Sequence, residues 1–195
     1  MDLVMGQLSG APTKRISGKL GADEGAVGNA IGMALPMLLG ALSKNASNDE
    51  GARSLDGALE RDHDGSVLDN LAGFLGQPEQ GPGDGILRHV LGEKRPAVEQ
   101  GLSKSTGLDA GTIGQLLITL APVVLGAIGK AKREKQMDAS GLSQFLAGER
   151  QEIEQKAPDA LGLIGSLLDA DGDGQIEAHE VAQKAGLLGK LFGKR

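Results

Sequence analysis

An apolar run that appears twice, in the same order and 86 positions apart, restricts this chain to few architectures. Gly21, Asp23, Gly25, Gly28, Ile31, Leu35, Pro36, Leu39, Gly40, Ala41 and Leu42 are followed later by Gly107, Asp109, Gly111, Gly114, Leu117, Ala121, Pro122, Leu125, Gly126, Ala127 and Ile128. Within each run the apolar period is helical. Val27, Ile31, Leu35, Leu38 and Leu42 mark one face, and Ile113, Leu117, Leu120, Val124 and Ile128 mark its counterpart. A second short helix is expected after each run, at 51–55 and at 141–145. The spacing there is 90, so four residues were added in the 130–136 region. The order of these matches reads as two helical copies, about 21–60 and 107–148, packed on each other. A segment 1–20 precedes them.

The rest of the composition agrees with helices. Aromatic residues are only 2% of the 195, so the core must be built from Leu, Ile, Val, Ala and Met, which suits helix packing better than sheet sandwiches. Glycine, 32 residues, sits inside the apolar runs. There it costs about 1 kcal/mol relative to Ala, so close helix crossing is expected, with Gly28, Gly114, Gly40 and Gly126 on faces that pack together. The fold class expected is all-α: a Gly-rich helical bundle of two repeated units.

Local signals place the helix ends. Asp23 and Asp109 suit N-cap or first-turn positions, where a carboxylate meets free backbone donors. Pro36 and Pro122 lack the amide hydrogen and clash one turn back, so each run is expected to kink or, preferably, to break into two short helices. Residues 73–85 read as a loop, 86–91 as a short helix closed by Gly92, and 97–103 as another. Pro158 opens a C-terminal module, 158–195.

Charge and cysteine content exclude several classes. The net charge is −6 with no Cys, so a nucleic-acid partner is not expected, and neither thiolate chemistry nor disulfides are available. The basic clusters 130–135 and 190–195 read as solvated helix ends. The longest apolar run, 113–129, carries Gln115, Thr119 and Pro122 and falls short of the roughly 20 residues of a membrane span. No membrane span is expected. The first twenty residues lack the pattern of a signal peptide, which gives a cytoplasmic expectation.

The sharpest chemistry lies at 169–180. Calcium needs six to eight oxygen ligands, and a twelve-residue loop supplies them from positions 1, 3, 5, 7, 9 and 12, with Gly at 6 for the turn. Asp169, Asp171 and Asp173 stand at 1, 3 and 5, and Gly174 at 6. Gln175 at 7 offers its carbonyl, Glu177 stands at 9 and Glu180 at 12, with apolar Ile176 at 8. The expected cofactor is Ca2+. Flanking helices are expected at 161–168 and 178–192, the second with Val181, Ala185, Leu188 and Phe192 on one face. A weaker echo runs over 60–71. Glu60, Asp62, Asp64 and Gly65 fall at 1, 3, 5 and 6, but position 12 is Leu71. That stretch is either a weak or metal-free partner loop or an Asx-rich turn.

Ala58-Leu-Glu-Arg-Asp-His-Asp-Gly-Ser-Val-Leu-Asp-Asn-Leu-Ala-Gly-Phe-Leu-Gly76, Gly85-Ile-Leu-Arg-His-Val-Leu-Gly92, Gly101-Leu-Ser-Lys-Ser-Thr-Gly-Leu108 and Leu120-Ala-Pro-Val-Val-Leu-Gly126 resemble the bacterial family of domain of unknown function 937, the YidB-like group, over about 21–148. The resemblance implies a Gly-rich, all-helical bacterial protein and no particular activity. The 169–180 loop separately resembles EF-hand loops. The function expected is a calcium-binding helical protein with a structural role or a protein-interaction role, a protein partner or self-association being open. The alternatives are a calcium-triggered switch that recruits a partner, and a hydrolase using Asp62, Asp64 and His89.

Overall fold

The computed structural model describes residues 2–78 and 81–156. The calcium loop 169–180, the rest of 158–195 and the apolar face at Val181, Ala185, Leu188 and Phe192 lie outside the described residues. Within them the chain is all-α, with no strand. The helices are α1 (Asp2–Leu8), α2 (Ala11–Leu20), α3 (Glu24–Asn45), α4 (Asp49–Arg61), α5 (Ser66–Asp69), α6 (Leu71–Phe74), α7 (Gly83–Leu91), α8 (Arg95–Thr106), α9 (Ala110–Glu134) and α10 (Ala139–Lys156). A 3-10 turn, Gly92–Lys94, joins α7 to α8.

The long helices α3 and α9 begin alike. Gly21 ends α2 and Gly107 ends α8, both with left-handed backbone at φ 63° and 76°, which costs glycine no steric strain. Two residues later Asp23 and Asp109 cap the next helix. The Asp23 carboxylate accepts the Ala26 amide at 2.9 Å, and Asp109 accepts the Thr112 amide at 2.9 Å. At the C-terminal side Asn48 caps α4 through the Gly51 amide, and Asp138 takes the Gly141 amide at the start of α10, each at 2.8 Å. Each such cap is worth about 1 kcal/mol.

Both runs continue through their prolines, so the expected break is corrected: α3 contains Pro36 and α9 contains Pro122. A Pro inside a helix sacrifices a hydrogen bond at a cost of about 3 kcal/mol. Here apolar residues on either side of each Pro are held in the core. Leu35, Leu38 and Leu39 are 0–3% exposed, as are Leu120, Ala121, Val123 and Val124 around Pro122. Packing of both halves against neighbours keeps the run in one piece.

α9 is the spine. Every residue from Thr119 to Gly129 is buried, so this stretch of the helix is enclosed on every side. α3, α7 and α8 pack along it, with α1, α2, α4 and α5 completing the cover. α2 lies on α3 and reaches α9, while α8 lies on α9 and reaches α3. α4 packs on α9, and α10 packs on α3 and on α4. One hydrophobic core runs through all of them, from Val4 in α1 to Ile153 in α10. α3 and α9 are long and apolar enough to cross a membrane by length and composition. However, 56% and 78% of their most apolar stretches are buried inside the bundle, as core helices are.

The glycines meet other partners than those expected. Gly28 faces Thr13 of α2, Gly114 faces Glu99 of α8, and Gly126 faces Val67 of α5. These three glycines therefore face the helices that flank the two long helices, and not one another.

Candidate functional site

The acid-rich stretch 60–71 is placed by α4, the turn after it and α5. Glu60 lies in the last turn of α4, and Asp62 caps the helix end. The Asp64 carboxylate accepts the Ser66 amide at 3.0 Å, an Asx turn closing the link to α5. The Asx-rich turn of the two sequence alternatives is present here, and the 169–180 loop that a partner loop would pair with lies outside the described residues.

This turn lies directly on α9. A Cβ on Gly129 would come 1.9 Å from the His63 carbonyl oxygen, and one on Gly126 would come 2.4 Å from Val67 Cγ1. Gly65 closes the contact from the other side, where a Cβ would meet Lys130 Cβ at 2.9 Å. The turn therefore rests against Gly126 and Gly129, two of the four glycines of α9.

Cations near the end of α9 take up the acids. Lys132 is 9% exposed at its side chain, and its ammonium donates to Glu60 Oε1 at 2.7 Å. Asp56 Oδ1 lies 3.0 Å from the same ammonium, outside the alignment of a hydrogen bond, and has no hydrogen-bond donor of its own. Arg133 reaches Asp64 at 3.3 Å. The Lys132 hydrogen bond holds the Glu60 carboxyl below its usual range. Hydrogen bonds from the Ser66 amide and hydroxyl, with Arg133 adding to them, do the same for Asp64. Burial pushes the half-buried His63 imidazole down. Lys132 gains from Glu60 and is held above its ordinary value.

These contacts decide what the stretch can do. Glu60 and Asp64, two of the positions that echo a metal loop, are engaged by Lys132 and Arg133. No group of three His, Cys, Asp or Glu is gathered for a metal among the described residues. Asp62 is exposed at the end of α4, and His89 is exposed in the last turn of α7. An apolar groove of about 480 Å³ runs between the α1–α2 corner and α3, and a far smaller cleft of about 20 Å³ lies beside Ile16, Leu75 and Ile118. Neither is lined by Asp62, Asp64 or His89. Sequence reasoning missed Asp56, Lys132 and Arg133. The signal available for them was a basic cluster at 130–135, with Lys132 set 72 residues from Glu60.

A family model described as bacterial protein of unknown function (DUF937) matches residues 2–131. It begins nearer the N-terminus than the resemblance in the sequence and ends earlier. No curated protein and no solved structure matches the chain.

Proposed function

This chain belongs to the DUF937 family of bacterial proteins of unknown function, and on that footing we propose that it is a calcium-binding helical protein whose 169–180 loop fixes the C-terminal segment to the bundle. The observation that carries the reading is the donor spacing. Asp169, Asp171, Asp173, Gln175, Glu177 and Glu180 fill the six ligand positions of a twelve-residue calcium loop. The helical body supports it indirectly, because Glu60 and Asp64 of the competing stretch 60–71 are already paired with cations of α9. A single complete loop gives a switch little leverage, since loops that open a groove on binding work as pairs. A structural clip or a fixed protein-interaction surface is the role that follows. Hydrolysis by Asp62, Asp64 and His89 draws no support from either groove.

The bundle itself reads as two copies of a three-helix unit, α2–α3–α4 and α8–α9–α10. Supporting this are the left-handed Gly21 and Gly107, the capping Asp23 and Asp109, the internal Pro36 and Pro122, and the caps Asn48 and Asp138. The spacing is 86 for the first three pairs and 90 for the last. In each unit the third helix packs on the other unit's long helix.

The test is a calorimetric calcium titration of the intact protein and of Glu180→Gln, with mass followed by light scattering. Binding lost in Glu180→Gln with an unchanged mass supports the clip. A rise in mass with calcium favours the partner-recruiting switch, and no heat from the intact protein refutes the site.

A further inference from the structure

Gly28 and Gly114, 86 residues apart, make the same contact in the two halves of the bundle, and what lies over them differs. A Cβ on Gly114 would come 3.1 Å from Glu99 Oε1 of α8, and one on Gly28 would come 3.9 Å from Thr13 Cγ2 of α2. Thr13 and Glu99 are themselves 86 apart. Over Gly114 the Glu99 carboxylate closes on the glycine and is held by an arginine. Arg95 Nε donates to Glu99 Oε1 at 2.7 Å and Arg95 Nη1 to Asp84 Oδ1 at 2.6 Å. The Arg95 and Glu99 side chains are 22% and 20% exposed, so the pair is largely packed in. Over Gly28 the counterpart of Arg95 by the same spacing is Ser9, and α2 begins only at Ala11. The groove of about 480 Å³ between the α1–α2 corner and α3 opens there instead.

The lining sets what this groove can hold. Met5, Leu8 and Ile31 supply apolar walls. Its polar side chains are acceptors with no proton to offer. Ser9 Oγ donates its hydrogen to the Met5 carbonyl and Thr13 Oγ1 to the Leu8 carbonyl, which leaves both oxygens only lone pairs. Glu24, in the first turn of α3, is exposed and acceptor-only when ionised. No cation among the described residues pairs with it. Asp23, next to it in the chain and capping α3, adds a second carboxylate. A matching ligand therefore carries positive charge and several hydrogen-bond donors at the end of an apolar stem. The acceptors come from both walls, α3 on one side and the α1–α2 corner on the other, which suits a planar guanidinium fork better than the point charge of an ammonium.

We propose that this groove takes an arginine side chain of a partner protein. Its aliphatic stem lies over Gly28 against Met5, Leu8 and Ile31, and its guanidinium lies between Glu24 and the Ser9 and Thr13 oxygens. The partner supplies from outside what Arg95 supplies to the other half from within. The comparison of the halves rests on the two-copy reading; the acceptor lining does not, and neither involves the calcium loop.

The experiment is selection of a phage-displayed random heptapeptide library on the full-length protein, in parallel with Gly28→Met, whose longer side chain enters the groove from a floor with room above it. Peptides enriched at least about tenfold on the parent over Gly28→Met should share an arginine beside an apolar residue. A synthetic peptide of that sequence should lose about tenfold in affinity when its arginine becomes citrulline, the neutral isostere, and about tenfold on Glu24→Gln. Both changes together should cost little more than either alone, because they remove one contact. Glu24 is exposed, so Glu24→Gln carries the test by itself if circular dichroism shows Gly28→Met to be unfolded. Equal enrichment on a folded Gly28→Met, a selected motif without arginine, binding indifferent to Glu24→Gln, or additive losses in the cycle each overturns the proposal.

Discussion

Replacing Gly129 by Ala sets two known effects against each other at one atom. In a helix interior Ala is favoured over Gly by about 1 kcal/mol, and α9 is a long helix in which that gain would ordinarily be realised. At Gly129, however, the new Cβ would lie 1.9 Å from the His63 carbonyl oxygen and 3.0 Å from its carbon. Both are backbone atoms, so no rotamer change relieves the clash. The turn has to lift from α9 by roughly an ångström or more to restore ordinary contact. That movement separates Gly65 from Lys130 and Val67 from Gly126, and it strains the Asp64–Arg133 pair. Overpacking of this kind costs about 1–3 kcal/mol, and an immobile backbone neighbour puts this case at the top of the range. With the helix-propensity gain subtracted, the net expectation for Gly129→Ala is a loss of about 2 kcal/mol. Gly101→Ala in α8 is the matched control. Its Cβ would meet nothing within 4 Å, so a gain of about 0.4–1 kcal/mol is expected. Urea unfolding followed by circular dichroism distinguishes them, because about 2 kcal/mol moves the midpoint by roughly 1 M at the usual slope. If Gly129→Ala proves as stable as the parent, the turn is not seated on α9 as the geometry has it.

Three further outcomes follow from the same contacts. Lys132→Ala should lower the urea midpoint more than Arg133→Ala, because it leaves the mostly buried Asp56 without its cation while Arg133 and Asp64 are about half exposed; equal midpoints would count against the Lys132–Asp56 pair. Stability should fall on the acid side in two stages. His63 has a depressed pKa, so its contribution is complete above its ordinary 6.5 and is lost as pH drops through its folded value; Glu60, Asp64 and Asp84, also depressed, add theirs above about 4.5 and lose it below. His63→Asn should abolish only the first stage of a pH series of urea midpoints. Chelating calcium should accelerate hydrogen exchange in 158–195 far more than in α3 or α9, since Asp169, Asp171, Asp173 and Glu180 repel one another without the ion; unchanged exchange in that segment would break the link between metal and order.

What depends on neighbours a few residues away is legible in the sequence. The apolar stripes of α3 and α9, the caps at Asp23 and Asp109, and the short helices around 86–91 and 97–103 all follow from local rules. Pro36 and Pro122 mislead for the opposite reason. A local rule breaks the helix, and only burial on both sides of the proline restores it. The same holds for the acids at 60–64. Their spacing echoes a metal loop, and what the spacing does not contain is a lysine 72 positions later that the fold brings to Glu60. Gly126 and Gly129 are visible as small residues in an apolar run, but what they admit is the carbonyl and side chain of a turn from the other half of the chain. The N-terminal twenty residues, which read as a lead-in segment, form α1 and α2, which pack on α3 and α9 and fall within the family match.

The enclosure of α9 has a consequence for how the protein is made. α3 ends at Asn45, and two of the helices that cover its apolar surface, α9 and α10, are not complete until Glu134 and Lys156. A ribosome adding about 5–20 residues per second leaves that surface waiting for roughly 5–20 s. Through that interval the first half of the chain carries an apolar helix long enough to enter a membrane with its main cover still unsynthesised. Contacts that close the bundle join α1 and α2 to α9, roughly a hundred residues along, and α3 to α10, so folding waits on the last two helices to emerge. The short, polar-rimmed helices α1 and α2 and the acid-rich end of α4 are the parts available to shield α3 until its companion arrives.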